Sequence, residues 1–345
     1  MSGPLDDLTR ITEVDKSSML QQIIGLPKQI EEALSWDVKL EVTPDNMCIC
    51  GMGGSAVGGD ILCDYAVQAS DRQIAVVRGV ELPKWVGPRT LVLMISYSGN
   101  TWEVLDLYKK ALDRGVPMVG ITSGGELMRW CQRDRLPIIR VPSGLQPRAA
   151  LGYLLGASAV VADTAGVVEA IYDLKRANLV MSDLKENLSP GVPTEVNMAK
   201  RLALKLLNKV PVIYAPRTIR TVAYRWQTQI NENAKMLAFS GEFPEMNHNQ
   251  LVGWVEDERR KDFVPVFLKT IASSGSVGEK MGVSVQLIKE SRNQPVEVEL
   301  SGRTVLETSL MGIMLGDFVS FYLAILKGVD PTPVSSIQEL KRRMP

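Results

Sequence analysis

The chain has 345 residues with 39 basic and 39 acidic side chains, 45% hydrophobic and 23% charged, the profile of a globular protein with room for two ordinary domains. A net charge of zero gives neither nucleic acid nor an anionic membrane a reason to bind. Four cysteines with no C-x-x-C pair and a single histidine argue against a disulfide framework and a zinc site, and fit a reducing, cytoplasmic setting.

The opening residues, Met1 to Asp7, carry acids where a secretory leader has a basic start, and no apolar leader core follows. Strands are predicted at Met47–Cys50, Ile74–Val77, Thr90–Ser96, Val116–Thr122 and Pro137–Val141, with a helix over Asn100–Arg114 and an apolar helix over Ala149–Tyr172. This alternation implies a parallel sheet covered on both faces. The polar stretch Lys175–Val196, broken by Pro190, Gly191 and Pro193, reads as a connection. Beyond it the strand candidates are Val210–Tyr214, Met236–Phe239, Phe263–Thr270, Val283–Lys289 and Pro295–Leu300. A helix is predicted over Thr218–Lys235, a long closing helix from about Arg303 to Lys327, and a short terminal one over Ser336–Arg343. The order of elements repeats that of the first half. The expected fold is α/β, with two domains, 1–174 and 175–345, each a parallel sheet flanked by helices in three layers. Asp163 and Asp317 interrupt the two most apolar stretches, Ala149–Tyr172 and Thr308–Leu326, which read as buried helices and not membrane spans. The basic runs Arg259–Lys261 and Lys341–Arg343 read as solvated faces.

Two loops at strand ends carry chemistry. The first strand runs into Gly51-Met52-Gly53-Gly54-Ser55-Ala56-Val57-Gly58-Gly59. A glycine turn between strand and helix gathers backbone N–H groups that bind phosphate or sugar hydroxyls. The spacing Gly51-x-Gly53-x-x-Ala56 also fits a dinucleotide fingerprint. That reading wants an acid at the end of the second strand, where the chain has Val77-Arg78-Gly79; Arg78 would suit only a phosphorylated ribose. The third strand ends in Ser96-Tyr97-Ser98-Gly99-Asn100-Thr101. Its three hydroxyls and a helix N-terminus make a site for one phosphate group; the alternative is a plain helix N-cap. Thr122-Ser123-Gly124-Gly125 adds hydroxyls on the same side of the sheet.

These loops resemble those of sugar isomerase (SIS) domains. Gln146 to Tyr153 (QPRAALGY), Asn231 to Lys235 (NENAK) and Glu245 to Asn249 (EMNHN) are similar to motifs of the bifunctional phosphoglucose/phosphomannose isomerases, and the resemblance runs from about Asp45 to Lys341. It implies two SIS domains in a homodimer with a shared active site, working without metal or other cofactor. The implied reaction interconverts glucose 6-phosphate or mannose 6-phosphate with fructose 6-phosphate. Gly53, Gly54 and Ser55 would contact the reacting end of the sugar, and Ser96, Ser98 and Thr101 its phosphate. Arg148 would stabilise the anionic intermediate, Glu232 would be the base, and His248 with Lys341 would open the ring. Thr332 or Ser335 would be the small hydroxyl residue that admits both epimers.

The chemistry needs such groups. Shifting a proton between C2 and C1 through an enediolate takes one carboxylate, and the charge growing on oxygen takes a fixed cation. Histidine titrates in the range that ring opening uses. Each residue also has a plainer reading: Glu232 as a surface glutamate paired with Lys235 at i+3, Arg148 as a salt-bridged surface arginine, Lys341 as a solvated lysine. Rival functions are a non-catalytic sugar-phosphate sensor, an amino-sugar or hexulose-phosphate isomerase, and a nicotinamide-dependent oxidoreductase.

Overall fold

A computed structural model of the chain describes residues 3–270 and 275–343. Helices α1 (Leu8–Val14), α2 (Met19–Ile24) and α3 (Leu26–Ala33) precede the first strand. The first α/β run is β1 (Asn46–Gly51), α4 (Gly54–Ala69), β2 (Ile74–Val77), β3 (Thr90–Ile95), α5 (Trp102–Asp113), β4 (Met118–Thr122), α6 (Gly125–Arg133) and β5 (Ile138–Arg140). A 3-10 turn at Pro147–Ala150 leads into α7 (Leu151–Thr164), followed by α8 (Ile171–Leu188) and α9 (Met198–Leu206). The second run is β6 (Val210–Pro216), α10 (Arg220–Ala234), β7 (Phe239–Phe243), α11 (Gln250–Glu256), β8 (Phe263–Thr270), α12 (Ser276–Glu290) and β9 (Val296–Leu300). Helices α13 (Val305–Lys327) and α14 (Ser335–Arg343) end the chain.

Both sheets are parallel throughout: a five-stranded one in the order β2-β1-β3-β4-β5 and a four-stranded one in the order β7-β6-β8-β9. In each the first strand lies between the second and the third, so the repeated order of elements is also a repeated topology. The chain forms two compact units. One holds Gly25–Val180 with Thr304–Glu307; the other holds Met1–Ile24, Met181–Arg303 and Thr308–Pro345. Residues 3–24 thus group with the second sheet, although in sequence they precede the first.

The central strands are buried on both faces: β3 is buried along its whole length, as expected under helices on two sides. Cys48 and Cys50 lie on one face of β1 with sulfurs 3.9 Å apart, and all four cysteines are free thiols. Helix α13 is long and apolar enough to cross a membrane, but its most apolar window is 89% buried inside the protein. The aspartate inside it, Asp317, forms a buried two-bond pair with Arg225 of α10.

Four sequence expectations need correction. Val283–Lys289 is helix, not strand: Met281, Val285 and Ile288 are buried while Val283 and Leu287 are exposed, a 3.6-residue period that outweighs β-branched composition. Lys175–Val196 is mostly α8, which buries Leu174, Ala177, Met181 and Leu188 at helical spacing. The apolar helix predicted over Ala149–Tyr172 stops at Thr164, because Gly166 takes φ +67° just past its end. Asp163 then caps the next helix, accepting from the N–H groups of Ala170 and Ile171. The strand predicted at Met236–Phe239 begins only at Phe239, since Met236–Ala238 is spent on the turn out of α10.

Candidate active site

In the first sheet β1 hands the chain to β2 on one side and, through it, to β3 on the other. Between β1 and β3 the connections diverge, and sheets of this order bind ligands in that crevice, at the carboxyl ends of the strands.

The loop after β1 turns at Gly53 (φ +50°), and α4 begins at Gly54 without a side-chain cap. A Cβ at Gly54 would lie 2.9 Å from both the Cα and N of Arg148, and one at Gly58 would lie 3.0 Å from the Cα and N of Leu155. Two glycines a turn apart therefore let α4 lie against the Pro147–Ala150 turn and α7. That contact fixes Arg148, which is 3% exposed. A surface arginine would not be so enclosed.

In the loop after β3, Ser96 is fully buried. Its Oγ lies 2.8 Å from Thr101 Oγ1 and accepts from the Thr101 N–H at 3.4 Å. Thr101 holds the N-cap position of α5 but makes no side-chain bond to the helix amides; its hydroxyl bonds Ser96 instead. Simple capping therefore does not explain the loop. Ser98 is exposed, and its Oγ accepts from the Asn100 N–H at 3.2 Å, which leaves the hydroxyl proton to donate outward. Ser55 joins the two loops by accepting from the Tyr97 N–H at 3.2 Å. Gly53, Gly54, Ser55, Ser96, Ser98, Thr101 and Arg148 thus gather at one edge of one sheet.

Sequence reasoning passed over Tyr97. Its hydroxyl donates to Pro142 O and accepts from the Leu145 N–H, both at 2.9 Å, tying the β3 loop to the segment that leads to Arg148. Burial raises its pKa. The one available signal was an aromatic residue between two serines of a polar loop. Thr122 and Ser123 lie where expected, but their hydroxyls are occupied, donating to Gly124 O at 2.8 Å and Tyr97 O at 2.6 Å. They buttress the cradle. Arg78, the residue a phosphorylated ribose would need, is held in two bonds by Asp60.

In the second unit Glu232 is half-buried in the last turn of α10, which leads to the amino end of β7. His248 is exposed and closes the 3-10 turn Glu245–His248 that follows the carboxyl end of β7. That turn is anchored by buried Met246 and by Asn247, whose Oδ1 accepts from Ser284 Oγ at 2.8 Å. β7 is five residues long, about 16 Å at roughly 3.3 Å per residue. Glu232 and His248 of this unit therefore stand at opposite ends of the strand. Lys341 is exposed on α14. Thr332 is buried, and its N–H donates to Asp330 Oδ1 at 3.0 Å.

Two parallel sheets of this order, with the hydroxyl cradle at the switch point of the first, define the sugar isomerase fold. A glucose-6-phosphate isomerase like protein from Thermus thermophilus shares it, with a TM-score of 0.65 over 98% of each chain at 22% identity. Residues 195–344 match the bacterial phospho-glucose isomerase C-terminal SIS domain. The bifunctional phosphoglucose/phosphomannose isomerase of Caldicellulosiruptor bescii is 38% identical over 94% of this chain and 98% of its own. The enzyme of the same description from Aquifex aeolicus is 32% identical over 94% and 99%. The chain belongs to the bifunctional phosphoglucose/phosphomannose isomerase family.

Proposed function

We propose that the protein interconverts glucose 6-phosphate and mannose 6-phosphate with fructose 6-phosphate. The observation that carries this reading is identity of 38% through both units to an enzyme of that description, in a chain whose switch-point crevice is lined with hydroxyls.

Ser98 and Thr101 donate to the phosphate, assisted by the positive end of α5. Buried Ser96 acts through Thr101, holding its hydroxyl in place. Gly53 and Gly54 meet the sugar's reacting end with backbone amides, and Ser55, whose own N–H donates to Met52 O at 3.1 Å, meets it with its hydroxyl. Arg148, enclosed and permanently charged, stabilises the oxyanion of the enediolate. Glu232 takes the proton from one carbon and returns it to the next, and His248 and Lys341 open the ring by moving a proton between its oxygens. No cofactor has a part in this scheme.

A homodimer with shared sites fits the placement of Glu232 and His248 at opposite ends of β7, because one second unit does not supply both to one substrate. Sedimentation then finds twice the chain mass of 38.0 kDa. The setting is cytoplasmic. The function is tested by a coupled assay from each aldose phosphate in EDTA. Both give fructose 6-phosphate; activity on neither refutes the proposal.

A further inference from the structure

Lys235, three residues past the proposed base, is exposed yet bonded to the backbone at four points. It is the C-cap of α10 and takes a left-handed conformation, φ +51° and ψ +42°. Its ammonium reaches four backbone carbonyls: Glu232 O at 2.8 Å, Asn233 O at 3.3 Å, Asp330 O at 2.8 Å and Pro331 O at 3.0 Å. The first two belong to the end of α10, whose last four C=O groups lack helical partners. The other two belong to a turn 95 and 96 residues further along the chain. A second lysine returns the tie, as Lys327 Nζ donates to Lys235 O at 3.0 Å.

We propose that Lys235 is a positioning residue for the isomerase. It locks the turn bearing Glu232 to the Asp330–Pro331 turn, so that the base and the segment running through Thr332 to Lys341 hold one geometry during proton transfer. The assignment rests on the functional reading above, with Glu232 as the base.

The physical argument is one of restraint. Helix ends fray, and Glu232 lies two residues from the last residue of α10. The rest of α10 is held firmly against α13: Trp226 Nε1 donates to Gly312 O at 2.7 Å, Arg225 pairs with Asp317, and Asn233 Nδ2 donates to Ser320 Oγ at 3.0 Å. Beyond Asn233 the chain turns away. A cation between two pairs of carbonyls stops the final turn from opening, and its charge offsets the negative end of the helix dipole. A proton-transfer base must hold its place closely, since a misplacement of about 1 Å costs up to about a hundredfold in rate.

The variant Lys235→Asn tests this, because asparagine tolerates the left-handed conformation but supplies no cation. Hydrogen–deuterium exchange of wild type and variant should show faster exchange in two segments together, 231–236 and 328–334. With glucose 6-phosphate deuterated at C2, kcat per folded molecule should fall about tenfold or more. KM should stay within about twofold, because the phosphate grip lies elsewhere, and the isotope effect should not fall below the wild-type value. Lys235→Gly, the most permissive residue for this backbone, replaces the variant if Lys235→Asn fails to fold. Wild-type exchange in 328–334, or wild-type kcat in a folded variant, overturns the proposal. A wild-type protein that isomerises no sugar phosphate refutes the functional reading instead, and the exchange experiment still decides whether the tie exists.

Discussion

Gly54→Ala adds one methyl group where the structure leaves no room for it. The new Cβ would lie 2.9 Å from two backbone atoms of Arg148 and 3.2 Å from the carbonyl carbon of Pro147. Carbon atoms rest comfortably at roughly 3.5 Å or more, so α4 and the Pro147–Ala150 turn must separate by about half an ångström. No side chain can rotate away, because all three neighbours are backbone. Overpacking of this kind costs about 1–3 kcal/mol, read as a lower midpoint in urea unfolding. The same displacement moves Arg148 from the site. A cation that stabilises the transition state lowers kcat when it is displaced, by a factor approaching about a hundred for a shift near 1 Å. Steady-state kinetics on fructose 6-phosphate should thus show a lower kcat with KM little changed. A folded Gly54→Ala enzyme of wild-type kcat would refute the argument that the glycine contact sets the position of Arg148.

Replacing Ser98 and Thr101 together with alanine should raise the KM for fructose 6-phosphate by about a hundredfold or more, since each lost charge-assisted bond is worth about 1.5–3 kcal/mol; an unchanged KM would remove the phosphate from this loop. Asp6→Asn should destabilise the protein by about 3 kcal/mol in urea unfolding. It removes the counter-charge of Lys200, which is fully buried and otherwise has only neutral partners, among them Pro190 O at 2.7 Å, Val192 O at 2.8 Å and the Tyr322 ring. The hydrogen bond from Lys200 holds the Asp6 carboxyl below its usual range. Its contribution is therefore present above the unfolded value near pH 4 and lost as pH falls through the lowered one. Stability curves of wild type and Asp6→Asn should accordingly converge below about pH 4; curves parallel down to pH 2 would contradict the pairing.

The sheets and the cradle were legible because local signals agree with the tertiary outcome. Short β-branched runs alternate with helices, and hydroxyl and glycine loops fall at strand ends. In β2 and β8 the predicted limits, Ile74–Val77 and Phe263–Thr270, coincide with the strands. The errors arose where composition and periodicity disagree, as in α12, whose valines look like a strand until their spacing is counted. The polarity of α8 hid a helix that buries one narrow stripe. What the sequence does not carry is the destination of each hydroxyl. Ser96, Ser98, Ser123 and Thr122 are alike in a list of residues. Only the fold shows Ser98 facing outward, Ser96 standing behind Thr101, and the other two bracing the loop. The i+3 spacing reads Lys235 as a partner of the Glu232 side chain, whereas its ammonium bonds the main-chain carbonyl of Glu232 and two carbonyls that depend on a turn far along the chain.

The central claim is that this chain moves a proton between C1 and C2 of a hexose 6-phosphate with Glu232 as the base. NMR of fructose 6-phosphate incubated with wild type and with Glu232→Gln tests it directly. The account predicts that both glucose 6-phosphate and mannose 6-phosphate appear with wild type, and that Glu232→Gln slows both by about 10²–10⁴-fold at nearly unchanged KM. Turnover by Glu232→Gln at the wild-type rate would show that the carboxylate is a surface residue of α10, and the absence of both aldoses with wild type would contradict the account as a whole.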